Sequence, residues 1–246
     1  MQDKTLLTKK HNHWANYYFG NNNIHPLEEK YGNYLYVPLD IPMIKLTDHE
    51  KFTSYYFKNA KSSTKVKADI STTSTGGSGF LSIDGAPTSD RSIWSKNYIP
   101  SFRSEFKELF DQITEYFPIK SLDNFLIWSS IANISPHRDE SIMLDLPVHF
   151  RIMLHNPNDT STLNIIHQNN TQEIDIPNDT NSFAWNNLRT THSSILQKPK
   201  ILFLFGDPLQ IDWKKYDQLI EKSISKYKEY VIKDQTTTLK DFIHTT

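Results

Sequence analysis

NFLIWSSIANISPHRDESIMLDLPVHFRIML, residues Asn124–Leu154, marks the point where the texture of this chain changes. Short apolar runs rich in Ile, Leu, Phe and Trp alternate with clusters of Asp, Ser and Pro, and the pattern continues to Gly206. Phe125–Ile134, Val148–Leu154, Thr162–His167, Glu173–Ile176, Ser182–Trp185, Ser193–Leu196 and Ile201–Phe205 read as short strands separated by turn-forming Asn, Asp, Pro and Thr. This spacing predicts a mainly β fold, a sandwich or barrel of antiparallel strands. Glu173-Ile174-Asp175-Ile176 alternates polar with apolar, so one face is wet and the other packed. Ile201–Phe205 (ILFLF) has no polar interruption and fits a strand covered on both sides.

Outside this stretch, helices are expected to flank the strands. Asp48 is a candidate N-cap for a short helix through Phe52, Tyr55 and Tyr56. Ser101 precedes Phe102, Phe106, Leu109, Phe110, Ile113 and Phe117, one apolar stripe at helical spacing that Pro118 limits. After Pro208, a second stripe (Trp213, Tyr216, Leu219, Ile220, Ile224, Tyr227 and Val231) is expected to brace the outside of the sheet. Tyr34–Leu39 reads as a short strand. Four of the seven glycines fall between Gly76 and Gly85, and residues 61–94 read as a long loop and a candidate lid. One domain over 1–246 is expected. It comprises a mixed α/β support region (1–123), the β core (124–207), and a C-terminal helix and tail (208–246).

Charge and composition narrow the function classes. With 27 Lys and Arg against 28 Asp and Glu, nothing in the balance points to a nucleic-acid or membrane surface. Zero cysteine excludes disulfides, zinc–thiolate sites and iron–sulfur clusters, and fits a reducing cytoplasm. No apolar leader opens MQDKTLLTKKHNHW and no apolar run is long enough to span a bilayer, so a cytoplasmic location is expected.

Within the β region one constellation carries chemistry. In ISPHRDE, His137 and Asp139 are one residue apart, and residues i and i+2 of an extended segment point to the same side. His192 follows much later, in WNNLRTTHSSI. Two imidazoles and a carboxylate can occupy one face of an octahedral metal and leave the other open, as in the facial triad of non-haem Fe(II) oxygenases. The bland alternative is a surface His–Asp pair with His192 as a packed core histidine.

On PHRDE, on Arg151 in HFRIML, on His192, and on Lys200 opening KILFLF, the region Phe125–Asp207 resembles the core of the Fe(II)/2-oxoglutarate-dependent oxygenases. It is most similar to their aspartyl/asparaginyl β-hydroxylase-like group, which includes bacterial proline hydroxylases. The resemblance implies a double-stranded β-helix, the cupin-like jelly roll, with flanking helices. It implies that His137, Asp139 and His192 hold Fe(II), and that Lys200 with Arg151 binds the far carboxylate of 2-oxoglutarate. Lys198 competes for that role, but it precedes Pro199 and so sits in a turn. The group often carries Arg-Xaa-His in the strand where this chain has Arg151-Ile152-Met153. The implied reaction consumes O2 and hydroxylates an aliphatic C–H of a small amino-acid-like or peptidyl substrate, releasing succinate and CO2.

His149 shares the parity of Arg151 and is a candidate substrate contact, with Arg189 suited to a substrate carboxylate. Trp128 and Trp185 are expected near the mouth of the barrel. Two rival classes share the barrel: a non-catalytic cupin-like module holding a ligand or metal, and a metal-dependent isomerase or hydrolase. Neither needs a cation one cofactor length from the metal.

Overall fold

The computed structural model describes residues 26–59, 61–62, 79–80, 104–120, 125–130, 134–137, 148–154, 162–167, 170–186, 190–195, 201–206 and 211–234. Its strands are β1 (Tyr34–Pro38), β2 (Lys61–Ser62), β3 (Gly79–Phe80), β4 (Phe125–Ser130), β5 (Ile134–His137), β6 (His149–Met153), β7 (Thr162–His167), β8 (Asn170–Glu173), β9 (Ser182–Trp185), β10 (Thr191–Ile195), β11 (Ile201–Gly206) and β12 (Ile232–Lys233). The helices are α1 (Glu28–Tyr31), α2 (His49–Asn59), α3 (Lys107–Tyr116) and α4 (Trp213–Lys226). The fold is mainly β. One sheet runs in the order β12-β1-β9-β6-β11-β4, another in the order β5-β10-β7-β8, and β2 with β3 forms a separate ribbon against β4. Every described strand pair is antiparallel. Among the described residues no helix is long and apolar enough to cross a membrane.

Three expectations are corrected by the ladders. Phe125–Ile134 is not one strand, because the chain leaves the six-stranded sheet after Ser130 and enters the four-stranded sheet at Ile134. The strand near Glu173 is Asn170–Glu173 rather than Glu173–Ile176. Ile174 nevertheless packs inward between exposed Glu173 and Asp175, so the alternation reports burial beyond the end of the ladder. The apolar stripe of the last helix outruns the helix itself. α4 stops at Lys226, and buried Tyr227 lies in the turn that follows.

Local chemistry accounts for the helix ends. Asp48 accepts a hydrogen bond from the Lys51 amide at 2.8 Å, and Asp212 does the same for Lys215 at 3.1 Å, each satisfying an amide that a helix start leaves open. α3 ends because Phe117 is extended (φ −82°, ψ 152°), the conformation that Pro118 imposes on the residue before it. The Ser101 cap lies outside the described residues.

The six-stranded sheet is covered on one side by the helices. Phe150, Ile152 and Ala184 from its middle strands pack with Phe52, Phe110, Ile113, Phe117, Tyr216 and Ile220 from α2, α3, α4 and the turn after α3. Its other side meets the four-stranded sheet, where Tyr36, Met153, Phe183 and Trp185 pack with Leu163, Ile165 and Ile174. β6 is therefore buried at every position, the pattern of a strand covered on both faces.

Polar clasps hold the connections to this frame. Buried Asn181 accepts from the Ile44 amide at 2.9 Å and donates to the carbonyls of Ile44 at 2.8 Å and Met153 at 2.9 Å. Asp40, with 13% of its side chain exposed, receives Lys222 and Lys226 of α4, each at 2.7 Å. Burial pushes the Asp40 carboxyl up, but the hydrogen bonds from the two lysines outweigh it and hold the group below the usual carboxylate range.

Candidate functional site

The space between the sheets is not uniformly apolar. Along β6, His149 and Arg151 alternate with Phe150 and Ile152, so they share the face of Met153, which packs between the sheets. Arg151 is only 3% exposed. Its guanidinium carbon lies 4.0 Å from the centroid of the Trp185 ring, and Nη1 donates to the His149 carbonyl at 3.1 Å. A cation held this deep is costly to bury, and stacking on an indole offsets part of that cost. Trp185 itself is 1% exposed, so it belongs to the interior rather than to a mouth.

His192 approaches the same indole from the other sheet. Its ring centroid is 4.5 Å from that of Trp185, at an interplanar angle of 43°. Nδ1 lies 3.3 Å from the carbonyl oxygen of Thr190. With the proton on Nδ1, that carbonyl accepts it and fixes the ring, and Nε2 keeps the lone pair that a metal requires. The donor chemistry of His192 therefore suits a metal ligand. Thr190 was not singled out from sequence. The only local signal was its position two residues before His192 in an extended run.

His192 is the register partner of His137 in the β10–β5 ladder, and of Ile165 on its other side. Directly opposed positions of an antiparallel pair share a face of the sheet. Beside this pair the register slips: Ser194 opposes Ile134, so β5 spends one residue more than β10 between the two pairings. Pro136 lies in that bulge, on a strand at the end of the sheet order. Both are places where the missing amide hydrogen of proline is tolerated. Two residues from separate β runs are thus brought together.

The remaining candidates divide by what is described. The register through Phe203 puts position 128 on the same face as Arg151, and His149 opposes Trp185. Asp139, Arg189, Lys198 and Lys200 lie outside the described residues, as do the side chains of His137 and Trp128. Of the candidate lid, only β2 and β3 are described. Among the described residues no three His, Cys, Asp or Glu side chains gather as a metal site. No family model and no curated protein matches the chain.

Proposed function

We propose that this chain is an Fe(II)- and 2-oxoglutarate-dependent dioxygenase that hydroxylates an aliphatic C–H of a small amino-acid-like or peptidyl substrate. The observation that carries the proposal is the pairing of His192 with His137 across β10 and β5, next to a buried arginine stacked on Trp185. The strand order supports a double-stranded β-helix as the frame. β4 pairs with β11, β5 with β10, β6 with β9 and β7 with β8, and alternate pairs fall in opposite sheets. A long hairpin rolled on itself produces this nesting.

In this reading His137, Asp139 and His192 hold the iron, and Arg151 with Lys200 holds the far carboxylate of 2-oxoglutarate. Fe(II), 2-oxoglutarate and O2 supply the oxidising chemistry, with release of succinate and CO2. The chain's own part is orientation and shielding. The Thr190 carbonyl holds the His192 ring through Nδ1. Leu163, Ile165, Phe183 and Trp185 keep water from the inter-sheet space. A near-neutral charge balance favours a small or peptidyl substrate over a nucleic acid, and a cytoplasmic setting suits a thiol-free chain that uses Fe(II).

The test is succinate formation by purified protein with Fe(II), 2-oxoglutarate and O2, across a panel of free amino acids and short peptides. Turnover that requires both iron and 2-oxoglutarate supports the proposal. Iron-loaded protein that neither binds nor consumes 2-oxoglutarate overturns it in favour of a binding module or a hydrolase.

A further inference from the structure

Trp185 carries a feature that packing does not explain. Its ring is 1% exposed, yet its Nε1 has no hydrogen-bond partner among the described residues. A buried indole N–H normally finds an acceptor, because leaving it unmade forfeits the water bond it had in the unfolded chain. A donor kept in this state inside a well-packed space is a candidate ligand contact.

The surroundings define which ligand. The donor belongs to the ring on which Arg151 stacks at 4.0 Å, so positive charge and a neutral N–H share one locality. Trp185 opposes His149 on β6 and Tyr36 on β1, and strands on both sides of β9 hold its backbone. The positive charge of Arg151 favours an anion there, and a carboxylate at the rim of the stack has two oxygens with which to accept from both the indole N–H and the guanidinium. A phenylalanine would fill the same interior and stack on the same cation, so packing alone does not call for the nitrogen.

We infer that Trp185 is a positioning residue for a bound carboxylate, donating from Nε1 while Arg151 supplies the charge. The identification of that carboxylate as the far end of 2-oxoglutarate rests on the oxygenase proposal above. The donor role itself does not. The indole fixes the orientation of the carboxylate as well as adding to its affinity, because it admits an oxygen only along the N–H direction.

The experiment uses the full chain with diamagnetic Zn(II) in place of iron, labelled with 15N at the indole nitrogen of its five tryptophans. The Trp185 resonance is assigned by its absence in Trp185→Phe or, should that variant not fold, by elimination through Trp→Phe changes at the other four. 2-Oxoglutarate, succinate and a panel of amino acids are titrated separately, and calorimetry measures 2-oxoglutarate affinity for the wild type and Trp185→Phe. A downfield shift of the Trp185 indole proton on adding 2-oxoglutarate, with affinity about tenfold weaker in the variant, supports the inference. A shift with succinate or an amino acid but not with 2-oxoglutarate supports the carboxylate site and overturns the 2-oxoglutarate assignment. Binding of 2-oxoglutarate with an unmoved Trp185 resonance and unchanged affinity in the variant overturns the role of Trp185 and leaves the oxygenase proposal standing. No shift and no binding with any carboxylate overturns both.

Discussion

The imidazole of His192 and the indole of Trp185 meet at a centroid distance of 4.5 Å, one from each sheet. Together with the Thr190 carbonyl at 3.3 Å, this contact leaves the histidine little rotational freedom. A ligand oriented before its metal arrives gives up little entropy on binding.

Replacing His192 with alanine is expected to reduce Fe(II) retention by more than about tenfold. Metal content after gel filtration checks this. Unchanged iron in His192→Ala would remove the residue from the ligand set.

Arg151→Met is expected to keep the fold at a cost of about 1–3 kcal/mol, since a side chain of similar length fills the space but leaves the His149 carbonyl without its donor. The same change should raise the 2-oxoglutarate requirement at least about tenfold, or ~1.4 kcal/mol. Arg151→Lys should recover only part of it, because an ammonium offers neither a planar stack nor a fork of donors. Steady-state kinetics against 2-oxoglutarate, with melting curves alongside, separate the two effects.

Phe150 is fully buried, with edge contacts to Phe117 at 5.4 Å and a tilted contact to Tyr216 at 6.4 Å. Phe150→Ala should cost about 3–5 kcal/mol by urea unfolding, because three elements lose a shared contact and the space does not refill.

Asn181→Ala should destabilise by about 3 kcal/mol, leaving the Ile44 amide and two carbonyls buried without their side-chain partner. Asn181→Asp should be worse, since the Nδ2 donor becomes an acceptor facing two carbonyls. Chemical denaturation checks both.

Asp40 gives a pH signature. Its carboxyl is held below the ordinary aspartate range in the folded chain, so the unfolded chain takes up its proton first as pH falls. The contribution is complete above the ordinary aspartate pKa of about 4 and is lost as pH drops through the lower folded value. Asp40→Asn should therefore melt below the wild type at neutral pH, by about 1–2 kcal/mol. The gap should close in acid, and melting temperatures across the pH range test it.

Much of this architecture was legible in particular residues. Thr162–His167 declares itself by β-branched and apolar alternation, and Asp48 and Pro118 mark the helix boundaries through chemistry that acts within a few residues. The sheet change after Ser130 was not legible. FLIWSSIANI carries no proline or glycine to mark a boundary, and its division between two sheets is decided by which distant strands its two ends pair with. Asn170–Glu173 was missed for a different reason. An edge strand with exposed Thr171, Gln172 and Glu173 needs no apolar face, so it leaves no period in the sequence. At the site, parity along HFRIM was enough to pair Arg151 with His149. The stack on Trp185 needed the register of β6 against β9, which no single segment encodes.

Pro136 has one more effect, on how this molecule behaves in a crowd. β5 is the last strand of its sheet among the described residues, and such a border ordinarily offers a row of amides to any passing extended peptide. A proline has no amide hydrogen to add to that row, and the extra residue beside it throws the spacing out of step with a straight neighbour. Proline and a bulge together make the border that carries His137 a poorer template for an added strand, and so disfavour self-association there.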